Sequence, residues 1–235
     1  MEKENVFIVK KDVAYLNNML GAINDAKEIV IIGGGFIGVE FADECKKNHE
    51  CNVTIVEMLP HCLQLALDEE FCVEAESVLA EKGIKILCNQ RVESILGDEK
   101  VSGVKLAGNQ ELKADVVIMG VGATPNVELA KKAGFQISPT KAIEVDRYMR
   151  TTMDTGVFAC GDCAGKVSFF NGKPSAHMRM SVRVAEARIA GANLFSIYQH
   201  NYGEIGVFST IMGERAFACA GLTERIARQE GYDVV

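Results

Sequence analysis

The run Ile29-Val30-Ile31-Ile32 passes directly into Gly33-Gly34-Gly35-Phe36-Ile37-Gly38, and this junction constrains the fold more than any other stretch. Four consecutive apolar residues without polar alternation must be buried on both faces, as in a strand of a parallel sheet. The glycines then follow G-x-G-x-x-G. Gly33 permits a tight turn, Gly35 lets a ligand phosphate approach the backbone, and Gly38 allows a helix to pack closely on the strand. A helical pattern follows through Phe41, Ala42 and Cys45 and ends near Asn48. The start of such a helix offers unpaired N–H groups and a partial positive charge, which favour an anion.

The second strand, Cys51-Asn52-Val53-Thr54-Ile55-Val56, ends on Glu57, 19 residues after Gly38. A carboxylate at that place can accept hydrogen bonds from both ribose hydroxyls of an adenosine, and it repels a 2′-phosphate. The next residues, Met58-Leu59-Pro60-His61, bring no arginine to offset the repulsion, so NAD(H) is favoured over NADP(H). Phe36 and Glu40 stand just inside the helix toward the nicotinamide end. Phe36 serves either there or in core packing, and Glu40 either there or as a solvated first-turn carboxylate.

Residues 68–82 read as an amphipathic helix stopped by Gly83, and Ile84-Lys85-Ile86-Leu87 as a third strand. Strand–helix–strand–helix–strand predicts a Rossmann-like parallel sheet. Residues 91–113 switch to alternating polarity with turn signals at Gly97-Asp98 and Gly108-Asn109, predicting a three-stranded antiparallel meander. Asp115-Val116-Val117-Ile118-Met119 returns as a buried strand. The fold class is therefore α/β, and residues 26–145 form an NAD(H)-binding domain. Further on, Val157-Phe158-Ala159-Cys160 reads as a short strand that delivers Asp162 to its carboxyl end, and residues 178–198 as a long helix. Val207-Phe208-Ser209-Thr210-Ile211 and Ala216-Phe217-Ala218-Cys219 read as strands of a β-rich piece whose open edges and apolar surface predict disorder, swapping between chains or a non-native dimer.

A net charge of −7, with acids and bases interleaved along the chain, argues against a nucleic-acid partner. No apolar run approaches the ~20 residues of a membrane helix. Met1-Glu2-Lys3-Glu4-Asn5 is charged and unlike a secretion signal. The eight cysteines are scattered, which fits reduced thiols in a cytoplasm. Cys160-Gly161-Asp162-Cys163 spells C-x-x-C, but its position at a strand end favours structural thiols over a redox pair. His49, His61, His177 and His200 stand singly, and no thiols or imidazoles cluster at the tight spacing of a zinc centre, so no metal is expected.

The loop, the meander, Gly120-Val121-Gly122-Ala123-Thr124-Pro125-Asn126 and Thr155-Gly156-Val157-Phe158-Ala159-Cys160-Gly161-Asp162 occur in the order found in the pyridine nucleotide–disulfide oxidoreductases, and the chain resembles that family from Asn5-Val6-Phe7 to its end. Asp146-Arg147-Tyr148-Met149-Arg150-Thr151 is most similar to the NADH oxidase, NADH peroxidase and coenzyme A-disulfide reductase branch. The resemblance implies that Gly33, Gly35, Phe36, Ile37, Gly38, Glu40 and Glu57 line an NADH site, with Gly122 approaching from a neighbouring strand. Phe36 takes the place of the aromatic residue that covers the flavin until NADH displaces it. Asp162 is implied to hydrogen-bond the ribityl and phosphate region of FAD, with Cys163 and Ala164 contacting it through backbone at a helix start.

The resemblance further implies an FAD-dependent oxidoreductase, homodimeric when complete, that passes hydride from NADH to flavin and on to a small acceptor: a disulfide, peroxide or oxygen. Residues 1–25 are then a linker or flavin-domain remnant, 146–202 the second half of an FAD-binding domain, and 203–235 the start of a dimerisation domain. The family's first Gly-rich loop and its redox cysteine are expected upstream, so that this segment alone would turn over little. Two other readings stand beside this one: a stand-alone NAD-binding module or sensor, and a flavin reductase serving a rubredoxin or ferredoxin.

Overall fold

The computed structural model describes residues 3–175 and 180–234, so His177 lies outside the described residues. These residues divide into two compact units, residues 1–122 with 209–235, and residues 123–208.

The first unit is built on a five-stranded parallel sheet. Its strands are β1 (Val6–Ile8), β2 (Glu28–Ile32), β3 (Asn52–Val56), β4 (Lys85–Leu87) and β8 (Val116–Met119), in the spatial order β1-β8-β2-β3-β4. The antiparallel meander is β5 (Val92–Leu96), β6 (Gly103–Leu106) and β7 (Glu111–Lys113). Val30, Val56 and Val117 on one face of the parallel sheet share a buried cluster with Val101, Val104, Leu106 and Ala114 of the meander segment. Helices α2 (Phe36–Asn48) and α3 (Glu69–Glu81) pack on β2, β3 and β4. Ile29, Ile31 and Ile118 are almost completely buried, as the unbroken apolar runs of β2 and β8 require, and Ile55 of β3 is buried beside them.

Asp115 fixes the register at the centre of the sheet. Its Oδ2 accepts the N–H groups of Lys27 and Glu28, both at 2.9 Å, so β8 and β2 start together. Residues 1–25, expected as a linker or flavin-domain remnant, hold regular structure. The structure places β1 there, paired with β8 in parallel, and α1 (Val13–Asp25), whose first turn is capped by Asp12 accepting from the Tyr15 N–H at 2.7 Å. β1 is only three residues long, and α1 leaves Val13 and Leu20 exposed, so neither carries a strong periodic signal.

At the chain's end, β11 (Val207–Met212) and β12 (Arg215–Ala220) form a two-stranded sheet followed by α6 (Glu224–Gln229). The piece is fastened to the helices of the first unit: Thr210 Oγ1 donates to Glu40 Oε1 at 2.8 Å, and Asp68 accepts the N–H groups of Glu224 and Arg225.

The second unit holds α4 (Glu128–Lys132), β9 (Lys166–Val167), β10 (Pro174–Ser175) and α5 (Met180–Ala192) around a small core of Met149, Ala159, Ala164 and Ala190. Two expectations need correction here. The strand at 157–160 is a single bridge between Phe158 and Arg150, made by the Thr151 N–H donating to the Val157 carbonyl and the Ala159 N–H donating to the Met149 carbonyl. The helix expected to reach 198 stops at Ala192. The Asn193 side chain accepts the N–H groups of Tyr198 and Gln199 and donates to the carbonyls of Tyr148 and Gln199, which competes with further helix.

Candidate dinucleotide site

A cavity of about 520 Å³ opens at the carboxyl ends of β2, β3 and β8. β2 lies between β3 and β8, so this is the crevice where the chain's path reverses across an open α/β sheet. Gly33, Gly35, Phe36, Ile37, Glu57 and Gly122 all line it. The turn that makes it depends on two glycines. Gly33 has φ +103°, a left-handed conformation that side chains disfavour. A Cβ on Gly38 would fall 1.9 Å from the Gly33 carbonyl oxygen, so nothing larger than glycine lets α2 sit this close to β2. Gly38 thus shapes the site from behind without lining it. Gly35 is the N-cap of α2, no side chain caps that helix end, and a Cβ there would meet nothing within 4 Å.

Glu57 is buried, and its two carboxylate oxygens are already oriented. Oε2 accepts the Gly34 N–H at 2.5 Å, and Oε1 accepts the Leu59 N–H at 2.7 Å. Each oxygen keeps a second lone pair, so the carboxylate can still accept two hydroxyls. Arg91 also lines the cavity and was not anticipated, because it arrives from the β4–β5 connection and not from the segment after Glu57. Its side chain is 71% exposed and lies 3.6 Å from Glu93 Oε1.

Glu40 is not brought to the cavity. It sits on the exposed side of α2, bonded to Thr210. A larger groove of about 680 Å³ runs along β1, lined by residues such as Phe7, Tyr15 and Ile95, but it has no glycine loop or helix end.

Asp162 and Ala164 fall in the second unit, where they line a smaller cavity of about 250 Å³ with Thr124, Pro125 and Lys166. Asp162 Oδ1 is 2.6 Å from Arg183 Nε. Residues Gly161–Cys163 make one 3₁₀ turn and Ala164 bridges to Ile143, so Cys163 and Ala164 do not open a longer helix as expected. The turn is anchored from below. Buried Glu186 accepts the Gly161 N–H at 2.9 Å and the Lys166 ammonium at 3.1 Å, and Lys166 also donates to the carbonyls of Gly161 and Ala164. Burial pushes the Glu186 carboxyl above its ordinary range despite the pull of Lys166. No signal in the sequence singled out this pair, since two isolated charged residues 20 positions apart carry no motif.

Cys160 packs beside the core of the second unit, and the Cys163 thiol donates to the Cys160 carbonyl at 3.3 Å. No disulfide joins any of the eight cysteines.

The model of the family described as pyridine nucleotide-disulphide oxidoreductase matches residues 3–188. An NADH oxidase of Methanocaldococcus jannaschii is 32% identical over 212 residues, covering 90% of this chain and 46% of the relative. A dihydrolipoyl dehydrogenase of Mycobacterium tuberculosis is 38% identical over 215 residues, covering 89% of this chain and 44% of the relative. Among solved structures, an NAD-dependent persulfide reductase from A. fulgidus superposes with a TM-score of 0.90 at 33% identity, over 98% of this chain and 42% of that one. The chain thus spans less than half the length of each of these relatives.

Proposed function

The chain belongs to the pyridine nucleotide-disulphide oxidoreductase family, and on that footing we propose that it supplies the NADH site and part of the FAD site of an oxidoreductase passing hydride from NADH to flavin and on to a disulfide, peroxide or oxygen. The observation that carries the reading is Glu57, buried and aimed into the cavity beside the glycine turn.

The residues present suit a pyridine dinucleotide. The crevice has the volume of a ligand site, a helix end without a side-chain cap faces it, and Gly35 leaves open space where a pyrophosphate would approach. Glu57 would hold the adenosine ribose, Phe36 and Ile37 would cover the apolar part, and Gly122 would let the cofactor pass the end of β8. The preference for NADH over NADPH rests on Glu57. Arg91 is solvated and shared with Glu93, so it offsets little of the repulsion Glu57 exerts on a 2′-phosphate.

For FAD, the fitting feature is Asp162, held by Arg183 above a turn that Lys166 and Glu186 fix. Asp162, with the backbone of Cys163 and Ala164, would orient the ribityl and phosphate region. Bound together, nicotinamide and flavin supply the hydride chemistry, and the protein contributes positioning and electrostatics. We assign residues 26–145 to the NAD(H)-binding domain, with 1–25 joining it to a flavin domain, 146–202 to that domain's second half, and 203–235 to the start of a dimerisation element. Val207 and Ile211 on β11 are exposed, which supports a homodimer of the complete enzyme. The scattered spacing of the eight cysteines supports a cytoplasmic location, and among the described residues no helix is long and apolar enough to cross a membrane.

The test uses the protein as it occurs in its cell, purified with whatever cofactor it carries and mixed anaerobically with NADH. Bleaching of a flavin band on adding NADH, after any oxidised redox cysteine has taken up its own two-electron equivalent, is the expected result. A protein without flavin, or a flavin that NADH does not reduce, overturns the proposal.

A further inference from the structure

Three segments that are distant in sequence bring potential metal ligands together behind the glycine turn. Cys62 comes from the segment after β3, Glu76 from α3, and Cys88 from the residue after β4. One donor atom from each lies within 4.8 Å of the other two. The Cys88 thiol donates to Glu76 Oε1 at 3.4 Å, and the Cys62 N–H donates to the same oxygen at 2.7 Å. His61 Nδ1 is 3.3 Å from the other carboxylate oxygen, Oε2. Cys62 is completely buried, while Cys88 and Glu76 are partly accessible.

We propose that Cys62, Glu76 and Cys88 form a site for one divalent cation of the zinc class, with His61 steadying the carboxylate.

Thiolate and carboxylate donors with a histidine behind the carboxylate are the chemistry this class of ion selects. A tetrahedral zinc centre, with Zn–S near 2.3 Å and Zn–O near 2.0 Å, needs donor–donor edges of about 3.5–3.8 Å. Donors already within 4.8 Å reach that spacing by small side-chain rotations. Three protein donors leave the fourth position to solvent, which can enter beside Cys88 and Glu76. A dication would offset two of the three negative charges that the carboxylate and two thiolates carry. On binding, each thiol gives its proton to the buffer and its sulfur electron pair to the cation, with no change of oxidation state.

The site's place gives it a consequence. A Cβ on Gly34 would lie 2.5 Å from Cys62 Sγ, and the Leu63 N–H donates to the Gly34 carbonyl at 2.9 Å. A cation on Cys62 therefore stiffens the segment on which the glycine turn rests. The proposal does not depend on the function proposed above.

The experiment titrates the reduced, metal-stripped 235-residue chain with Co²⁺ in a phosphine reductant without oxygen, then displaces the cobalt with Zn²⁺. The expected result is a near-ultraviolet thiolate-to-cobalt band that saturates at about one ion per chain and is lost on adding zinc. Cys88→Ser should weaken cobalt binding at least about tenfold and diminish the band, while Cys219→Ser binds as the parent does. Should Cys88→Ser fail to fold by circular dichroism, Glu76→Gln serves instead, with weaker binding and the band retained at saturation. Absence of the band at stoichiometric cobalt, or variants at residues 76 and 88 that bind as tightly as the parent, overturns the proposal.

Discussion

Glu57 Oε2 accepts the Gly34 N–H at 2.5 Å, tying the end of β3 to the middle of the glycine turn 23 residues before it. One carboxylate thus braces the turn and presents its remaining lone pairs to the cavity. Bracing also explains how a buried carboxylate is tolerated, since a second backbone N–H, from Leu59, satisfies its other oxygen.

Replacing Glu57 by Gln removes the charge and keeps the size. Hydrogen bonds to a charged acceptor are worth about 1.5–3 kcal/mol, so NADH should bind ~10-fold or more weakly. NADPH should lose much less, because the repulsion of its 2′-phosphate goes as well. Parallel titrations of the variant with both cofactors check the narrowing of discrimination.

Gly35 and Gly38 should separate binding from folding. Gly38→Ala drives a methyl against the Gly33 carbonyl and should cost at least about 1–3 kcal/mol in urea unfolding. Gly35→Ala meets open space at an ordinary φ of −74°, so stability should stay within ~0.5 kcal/mol while cofactor binding weakens.

In the second unit, Lys166→Met leaves buried Glu186 with the Gly161 N–H as its one hydrogen-bond partner among the described residues, and should destabilise by about 3 kcal/mol. Lys166→Met with Glu186→Leu should recover much of that loss, as replacing a whole buried pair often does. Urea denaturation of the single and double variants measures the difference.

Acid should weaken the protein in a defined window. Burial pushes the Asp43 carboxyl up, but Lys47, Lys82 and the Gly213 N–H outweigh it and hold the group below its ordinary 3.8. The Glu28 and Lys27 N–H groups lower Asp115. At Asp146, burial is outweighed by Arg150 and backbone donors. Stability from these three is complete above 3.8 and lost as pH falls through the lowered folded values. Glu186 acts in the opposite sense, contributing below its ordinary 4.5 and losing that contribution as pH rises through its raised folded value. Urea midpoints between about pH 2 and 7 should therefore drop on the acid side, and Asp115→Asn should flatten that drop.

What could be read from the sequence was what local pattern encodes. The unbroken apolar runs marked β2 and β8, the segment ending on Glu57 marked β3, alternation marked the meander, and the glycine spacing with Glu57 marked the cavity. What could not be read depends on contacts between distant segments. Arg91 reaches the cavity from a different connection, Glu40 is drawn to Thr210 by a hairpin 170 residues later, and Asn193 ends a helix whose pattern ran on. Cys62, Glu76 and Cys88 meet only because β3, α3 and β4 pack side by side.

In the proposed function the crevice beneath Gly33–Gly38 binds NADH through Glu57. Calorimetric titration of the 235-residue chain with NADH and, separately, NADPH tests it most directly. The expected result is one saturable site for NADH and at least about tenfold weaker binding of NADPH. No saturable NADH binding, or equal affinity for the two cofactors, would contradict it.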